Sequence, residues 1–131
     1  MSDRDLSNVY RDYLGCLNER QWPKLGEFVA EQLSYNGKRM TLGDYRAMLE
    51  NDTQATPDLQ YRADLLLTDD QFVACRLFFQ CTPQRPFLGF EPTGAQVSFA
   101  EHVFYRFDKK RIVEVWSLID TQAVREQLAR P

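Results

Sequence analysis

Two carboxylates stand where general acid/base chemistry would need them. Glu101 lies within VSFAEHVFYRF, residues 97–107, whose alternation predicts a β-strand. Val97, Phe99, Val103, Tyr105 and Phe107 share one face, and Glu101 is the single charge in phase with them. Burying an unpaired charge costs roughly several kcal/mol even after relaxation. Glu101 therefore either pairs with another charge or faces a pocket, and Arg76, which interrupts one face of the preceding strand, is the candidate partner. Asp120 follows RIVEVWSLI, with Trp116 and Leu118 in phase on the same strand. A carboxylate whose pKa is raised by such an apolar wall can take a proton from carbon flanked by carbonyls. The competing reading makes Asp120 the N-cap of a last helix, a role worth ~1 kcal/mol. Whether the two carboxylates share a face depends on the intervening hairpin. A two-residue loop pairs Asp108 with Arg111 and sets Glu101 level with Leu118, on Asp120's side; a three-residue loop turns the last strand over.

Other chemistries find little support. His102 is the only histidine and alternates away from Glu101, toward solvent or a dimer surface; with no clustered ligands, no metal site is expected. No serine or cysteine sits in a nucleophile motif, and no glycine-rich phosphate loop occurs. Cys16, Cys75 and Cys81 are odd in number and form no CxxC. Cys75 and Cys81 lie about 20 Å apart on one strand, too far for a disulfide. A reduced, cytoplasmic protein is expected. The net charge of −3 and pI of about 5.2, without a basic run, argue against nucleic acid or an anionic membrane as main partner. No apolar run approaches the ~20 residues of a membrane span, and the polar start MSDRDLSNVY lacks a signal peptide's apolar region.

The elements that must position these groups are legible from period. Leu6, Val9, Tyr10, Tyr13, Leu14 and Leu17 repeat at helical spacing. Tyr13 lies on that buried stripe, either as core or with its hydroxyl reaching a pocket. Pro23 opens a second short helix expected to bury Leu25, Phe28 and Val29. LSYNG is a short extended piece turning at Asn36-Gly37. Thr41 caps a third helix, with Asp44 at the capping-box position and Met40 and Tyr45 at the staple positions. Asp52 to Pro57 reads as loop. The period then switches to two: Leu59–Leu67 and Gln71–Thr82 are strands, the second apolar enough on both faces to be covered on both sides. Pro83–Ala95 is a Pro/Gly loop whose Phe87, Leu88 and Phe90 suit a lid or a dimer edge. Two strands joined at Asp108-Lys109-Lys110 and a closing helix, TQAVREQLA, complete an α-α-β-α-β-β-β-β-α order. Such an order predicts an α+β fold with N-terminal helices packed on a curved antiparallel sheet. The mouth of such a sheet is a common place for a pocket.

PTGAQVSFAEHVFYRF, RIVEVWSLID and a short helix ending in QL resemble the C-terminal half of the SnoaL-like polyketide cyclase family. That family belongs to the wider nuclear-transport-factor-2-like fold, which also holds ketosteroid isomerase. YRDYLGCLNERQW and LSYNGKRMTLGDYRAML are similar to ester cyclase relatives. The resemblance covers nearly the whole chain. It implies one cone-shaped domain over residues 1–131, commonly a homodimer through the outer sheet face, using neither metal nor cofactor. It also implies a carboxylate after the family's tryptophan as acid/base in an intramolecular aldol closure, which falls on Asp120, four residues after Trp116. Relatives often carry a polar residue at the position of Asn36 that reaches into the cone, although a turn role is its default. Lys110 stands where the family usually has a glycine.

The expected site therefore has Asp120 as main acid/base and Glu101 assisting. Tyr13, Asn36, Arg76, Phe99, Val103, Tyr105 and Trp116 would line a pocket for a small hydrophobic or aromatic carbonyl compound. The expected reaction is aldol-type cyclisation or enolisation. A non-catalytic binding or accessory protein, and an isomerase or hydratase in the same pocket, are the alternatives.

Overall fold

A computed structural model describes residues 5–128. Helix α1 (Leu6–Asn18) is capped by Asp5, whose carboxylate accepts from the Asn8 amide at 3.1 Å. Its Leu6, Val9, Tyr10, Tyr13, Leu14 and Leu17 are buried as their spacing predicts. The second helix is a 3₁₀ helix over Trp22–Glu27 and buries only Leu25. Val29, expected on that helix, instead opens strand β1 (Val29–Tyr35). The Asn36-Gly37 turn, with φ of +48° and +83°, leads into β2 (Lys38–Thr41), a short exposed edge strand that the sequence reading did not contain. Helix α2 (Leu42–Ala55) has the full capping box: the Asp44 amide donates to Thr41 Oγ1 at 3.0 Å, and the Thr41 amide to Asp44 Oδ2 at 3.1 Å. It runs on through Asp52–Ala55, where a loop was expected.

Strand β3 is Arg62–Thr68, three residues later at its start than predicted. The delay has a visible cause: the Asn18 side chain clamps the Tyr61 backbone, and Arg20 donates to the Leu59 carbonyl, so the chain before Arg62 serves α1 rather than the sheet. Strands β4 (Phe72–Cys81), β5 (Val97–Asp108) and β6 (Arg111–Ile119) follow, then helix α3 (Thr121–Leu128). Ala129, read as the end of that helix, lies outside the described residues.

The six strands form one sheet in the order β2-β1-β6-β5-β4-β3. The sheet is mixed, which corrects the antiparallel expectation. Strand β1 runs parallel to β6, to whose side the chain returns only after β2, α2 and three further strands. The helices cover one face. On that face Val73, Cys75, Leu77, Phe79 and Cys81 of β4 meet Val97, Phe99, Val103, Tyr105 and Phe107 of β5 and the buried stripe of α1. The opposite face of β4 was expected to be covered too; here Leu65, Leu67, Phe72, Phe104, Trp116 and Leu118 stand exposed on that side.

The β5–β6 hairpin settles which residues face inward. Its loop is the two-residue one: Asp108 pairs with Arg111, and Lys109 and Lys110 both take positive φ. Beyond it the register shifts, so that Phe107 pairs with Ile112 while Arg106 pairs with Glu114. Val113 is the extra residue of a β-bulge, and it moves every later residue of β6 by one. Glu101 is therefore level with Ile119 rather than Leu118. Val115, Ser117 and Ile119 face inward, and Trp116 and Leu118 outward.

Candidate active site

Between the helices and the inner face of the sheet lies a cavity of about 60 Å³. Its walls come from every layer: Tyr13 of α1, Tyr35 of β1, Tyr45, Leu49 and Asp52 of α2, and Phe99, Glu101, Val103 and Tyr105 of β5. Phe79 and Phe99 stack at 5.0 Å between ring centres, and Tyr61 meets Phe79 edge-on at 5.5 Å. The 83–95 loop adds Phe87 and Leu88 to its wall. Phe87 and Phe90 exchange backbone hydrogen bonds of 2.9 Å, and the Leu88-Gly89 turn between them, with φ of +53° and +82°, drives Phe87 and Leu88 into the cavity wall. Gln84 and Arg85 anchor this segment on the Ala55 carbonyl, and the Arg125 guanidinium lies over the Phe90 ring.

Two carboxylates reach this apolar, phenol-rich space. Glu101 Oε2 accepts from Ser117 Oγ at 2.5 Å. Burial raises its pKa, the nearby Asp52 carboxylate raises it further, and the Ser117 hydrogen bond partly offsets both. Burial alone pushes Asp52 up to about 6. Tyr13 Oη and Tyr45 Oη are 2.6 Å apart, and Tyr10 donates to Tyr105 Oη at 3.3 Å. Burial pushes the Tyr13, Tyr45, Tyr61 and Tyr105 phenols upward, so they stay protonated and remain donors at neutral pH.

Of the residues expected at the pocket, Tyr13, Phe99, Glu101, Val103 and Tyr105 converge on the cavity and four do not. Arg76 points to the outer face and pairs with Asp64, so the Glu101–Arg76 ion pair is absent. Trp116 is on the outer face because of the bulge, and walls neither carboxylate. Asp120 lies outside the cavity, beside Arg76, His102 and Leu118, and its Oδ1 accepts from the Ala123 amide at 3.1 Å, the N-cap of α3. Asn36 sits in its turn and grips Ser117: its Nδ2 donates to the Ser117 carbonyl at 3.1 Å and its Oδ1 accepts from the Ser117 amide at 2.8 Å. His102 is exposed on the outer face, as its alternation predicts.

Asp52 was missed. Its signal was present, since Tyr45, Leu49 and Asp52 fall on one helical stripe, but the helix was ended before that stripe was complete. Ser117 was hidden by the bulge. Among the described residues no group of three or more His, Cys, Asp or Glu is arranged to hold a metal ion.

A family model described as SnoaL-like polyketide cyclase matches residues 7–128. Among solved structures, a SnoaL-like polyketide cyclase from Agrobacterium tumefaciens superposes with a TM-score of 0.92 at 40% identity, over 96% of this chain and 99% of that one. IdmH from Streptomyces antibioticus gives 0.85 at 19% identity over 97% and 100%. TsrD from Streptomyces laurentii gives 0.87 at 16% identity over 98% of each chain. The last two likenesses speak for the fold alone. No curated protein sequence matches. With the α+β sheet, the cone and these likenesses in agreement, the chain belongs to the SnoaL-like polyketide cyclase family, within the nuclear-transport-factor-2-like fold.

Proposed function

We propose that the chain is an acid/base enzyme working without a cofactor on a small hydrophobic carbonyl compound, with Glu101 as the base and Asp52 as its partner. One observation carries this reading: two carboxylates, both pushed toward neutral by burial, open on one cavity lined by aromatic rings. A carboxylate of raised pKa in an apolar space takes a proton from carbon more readily than one solvated by water. The phenols complete the site. Tyr13 and Tyr45 share one hydrogen bond, which uses one of their two hydroxyl protons and leaves the other for a carbonyl oxygen. The enolate formed at the neighbouring carbon would meet that donor, and attack of the enolate carbon on a second carbonyl closes a ring. This assignment moves the chemistry from Asp120, which caps α3 outside the cavity, to Glu101.

Hydration in the same cavity is the second reading, favoured by the presence of two carboxylates rather than one. A cavity of about 60 Å³ is large enough to hold water beside the carboxylates. Incorporation of ¹⁸O from labelled water separates hydration from enolisation. The main test is exchange of the α-proton of small aromatic ketones and β-diketones in D₂O, followed by NMR. Glu101→Gln is expected to slow it about 100-fold or more. Equal exchange in the variant and the parent sinks the proposal.

The exposed outer face, with Leu65, Leu67, Phe104, Trp116 and Leu118, supports a homodimer through that side of the sheet. Cys16, Cys75 and Cys81 are free and buried, and among the described residues no helix is long and apolar enough to cross a membrane. We place the protein in a reducing compartment, the cytoplasm.

A further inference from the structure

We propose that Asn36 is a positioning residue for Glu101, acting through Ser117. Strand β1 ends at Tyr35, level with Val115 of the parallel strand β6, and the Asn36 amide still donates to the Val115 carbonyl. The next peptide cannot continue the ladder, because the chain turns away at Asn36 with φ +48°. The Asn36 carboxamide takes over instead, giving Ser117 one donor and one acceptor as another strand residue would. It thus extends the β1–β6 pairing by one step. That step ends on the residue whose hydroxyl donates to Glu101 Oε2.

A turn alone does not call for this arrangement. Glycine would satisfy the left-handed conformation at position 36 without a side chain. What the carboxamide adds is a fixed Ser117 backbone, and with it a fixed direction for Ser117 Oγ. Ser117 is also the hydrogen-bonding partner that favours the ionised form of Glu101. Burial and the Asp52 carboxylate of α2 disfavour that form; Tyr45 from α2, Tyr35 from β1, Tyr61 ahead of β3, Cys75 from β4 and Tyr105 from β5 also face it, and Glu101 raises their own pKa values so that they stay neutral. Against burial and Asp52, the Ser117 hydroxyl lowers the Glu101 pKa.

The inference rests on Glu101 as the base of the proposed reaction, yet its test needs no turnover, so failure of one is distinguishable from failure of the other. The full chain is labelled with ¹³C at glutamate side-chain carboxyls, and the Glu101 resonance, identified by its loss in Glu101→Gln, is titrated by NMR. Ser117→Ala removes the hydroxyl and is expected to raise the midpoint by about one pH unit. Asn36→Gly keeps the turn and removes the clamp, and is expected to raise it by about half a unit, with faster hydrogen exchange at the Ser117 amide. The double variant is expected to match Ser117→Ala alone, since both act on one bond. An unmoved midpoint in either single variant overturns the relay, as do shifts that add. A merely structural Asn36 would lower the melting temperature and leave the Glu101 midpoint where it was.

Discussion

The two faces of the sheet present opposite problems. The inner face is covered by helices and bordered by the 83–95 loop, yet it holds a carboxylate among aromatic rings. The outer face is open to solvent, yet it carries Leu65, Leu67, Phe104, Trp116 and Leu118. Charges follow the same inversion. Outside, Arg76 meets Asp64 and Arg106 meets Glu114, pairs of modest worth because water screens them. Inside, Glu101 has a serine hydroxyl that lowers its pKa and a second acid that joins burial in raising it. The face that looks like a core by its walls holds the carboxylates of the proposed site, and the face that looks like a surface by its exposure carries the apolar side chains of the proposed interface.

The bulge at Val113 assigns β6 residues to the two faces, so a one-residue slip there should have the largest effect. Deleting Val113 would leave Ile112 opposite Phe107 and Glu114 opposite Arg106, whereas inserting one alanine after Val113 would turn Val115, Ser117 and Ile119 outward and Trp116 and Leu118 inward. Loss of a cooperative melting transition is expected for the insertion; a native-like melt would mean the bulge absorbs the second extra residue. Next come the two carboxylates themselves. Asp120→Ala is expected to leave α-proton exchange within a factor of about two and to cost ~1 kcal/mol of stability through the lost cap. If this variant instead loses exchange as Glu101→Gln should, the chemistry belongs to the outer side. Leu118→Glu probes that side directly: on the face of the proposed homodimer, the charge should shift sedimentation from dimer to monomer without changing exchange.

An effect confined to one range of pH concerns Asp52. Its pKa is about 6 in the fold and 3.8 in the reference state. At pH below 3.8 it is protonated in both states and contributes nothing. As pH rises through the folded value, ionisation costs the native state more than the unfolded one, so stability is lost. Asp52→Asn should therefore melt a few degrees higher than the parent near pH 8, on the order of 1–3 kcal/mol, and the difference should vanish near pH 4. An equal difference at both pH values would remove the burial of Asp52 from the account.

Much of this was legible in the sequence, because local signals and the final structure agree. The α1 stripe, the Thr41–Asp44 box, the Asn36-Gly37 turn and the inward set of β5 all read directly from spacing. The sheet's mixed topology did not, since pairing between β1 and β6 joins segments almost eighty residues apart and leaves no local mark. The bulge did not, because a single extra residue is invisible in an alternating pattern until the partner strand is known. Asp52 was lost for a simpler reason: its polarity, with Asn51 and Thr53 beside it, resembles a loop, and only the completed stripe shows that it faces inward.

The Leu88-Gly89 turn bears on timing as well as shape. Phe87 and Leu88 stand in the wall of the cavity, so a substrate larger than the space behind them would need that turn to move. Entry and exit would then share one step. Association would level off with concentration at the rate of that step, and a bound molecule's lifetime would include a wait for it. In the proposed reaction an enolate behind the turn would be shielded from bulk water for that interval, which would set how long a ring has to close.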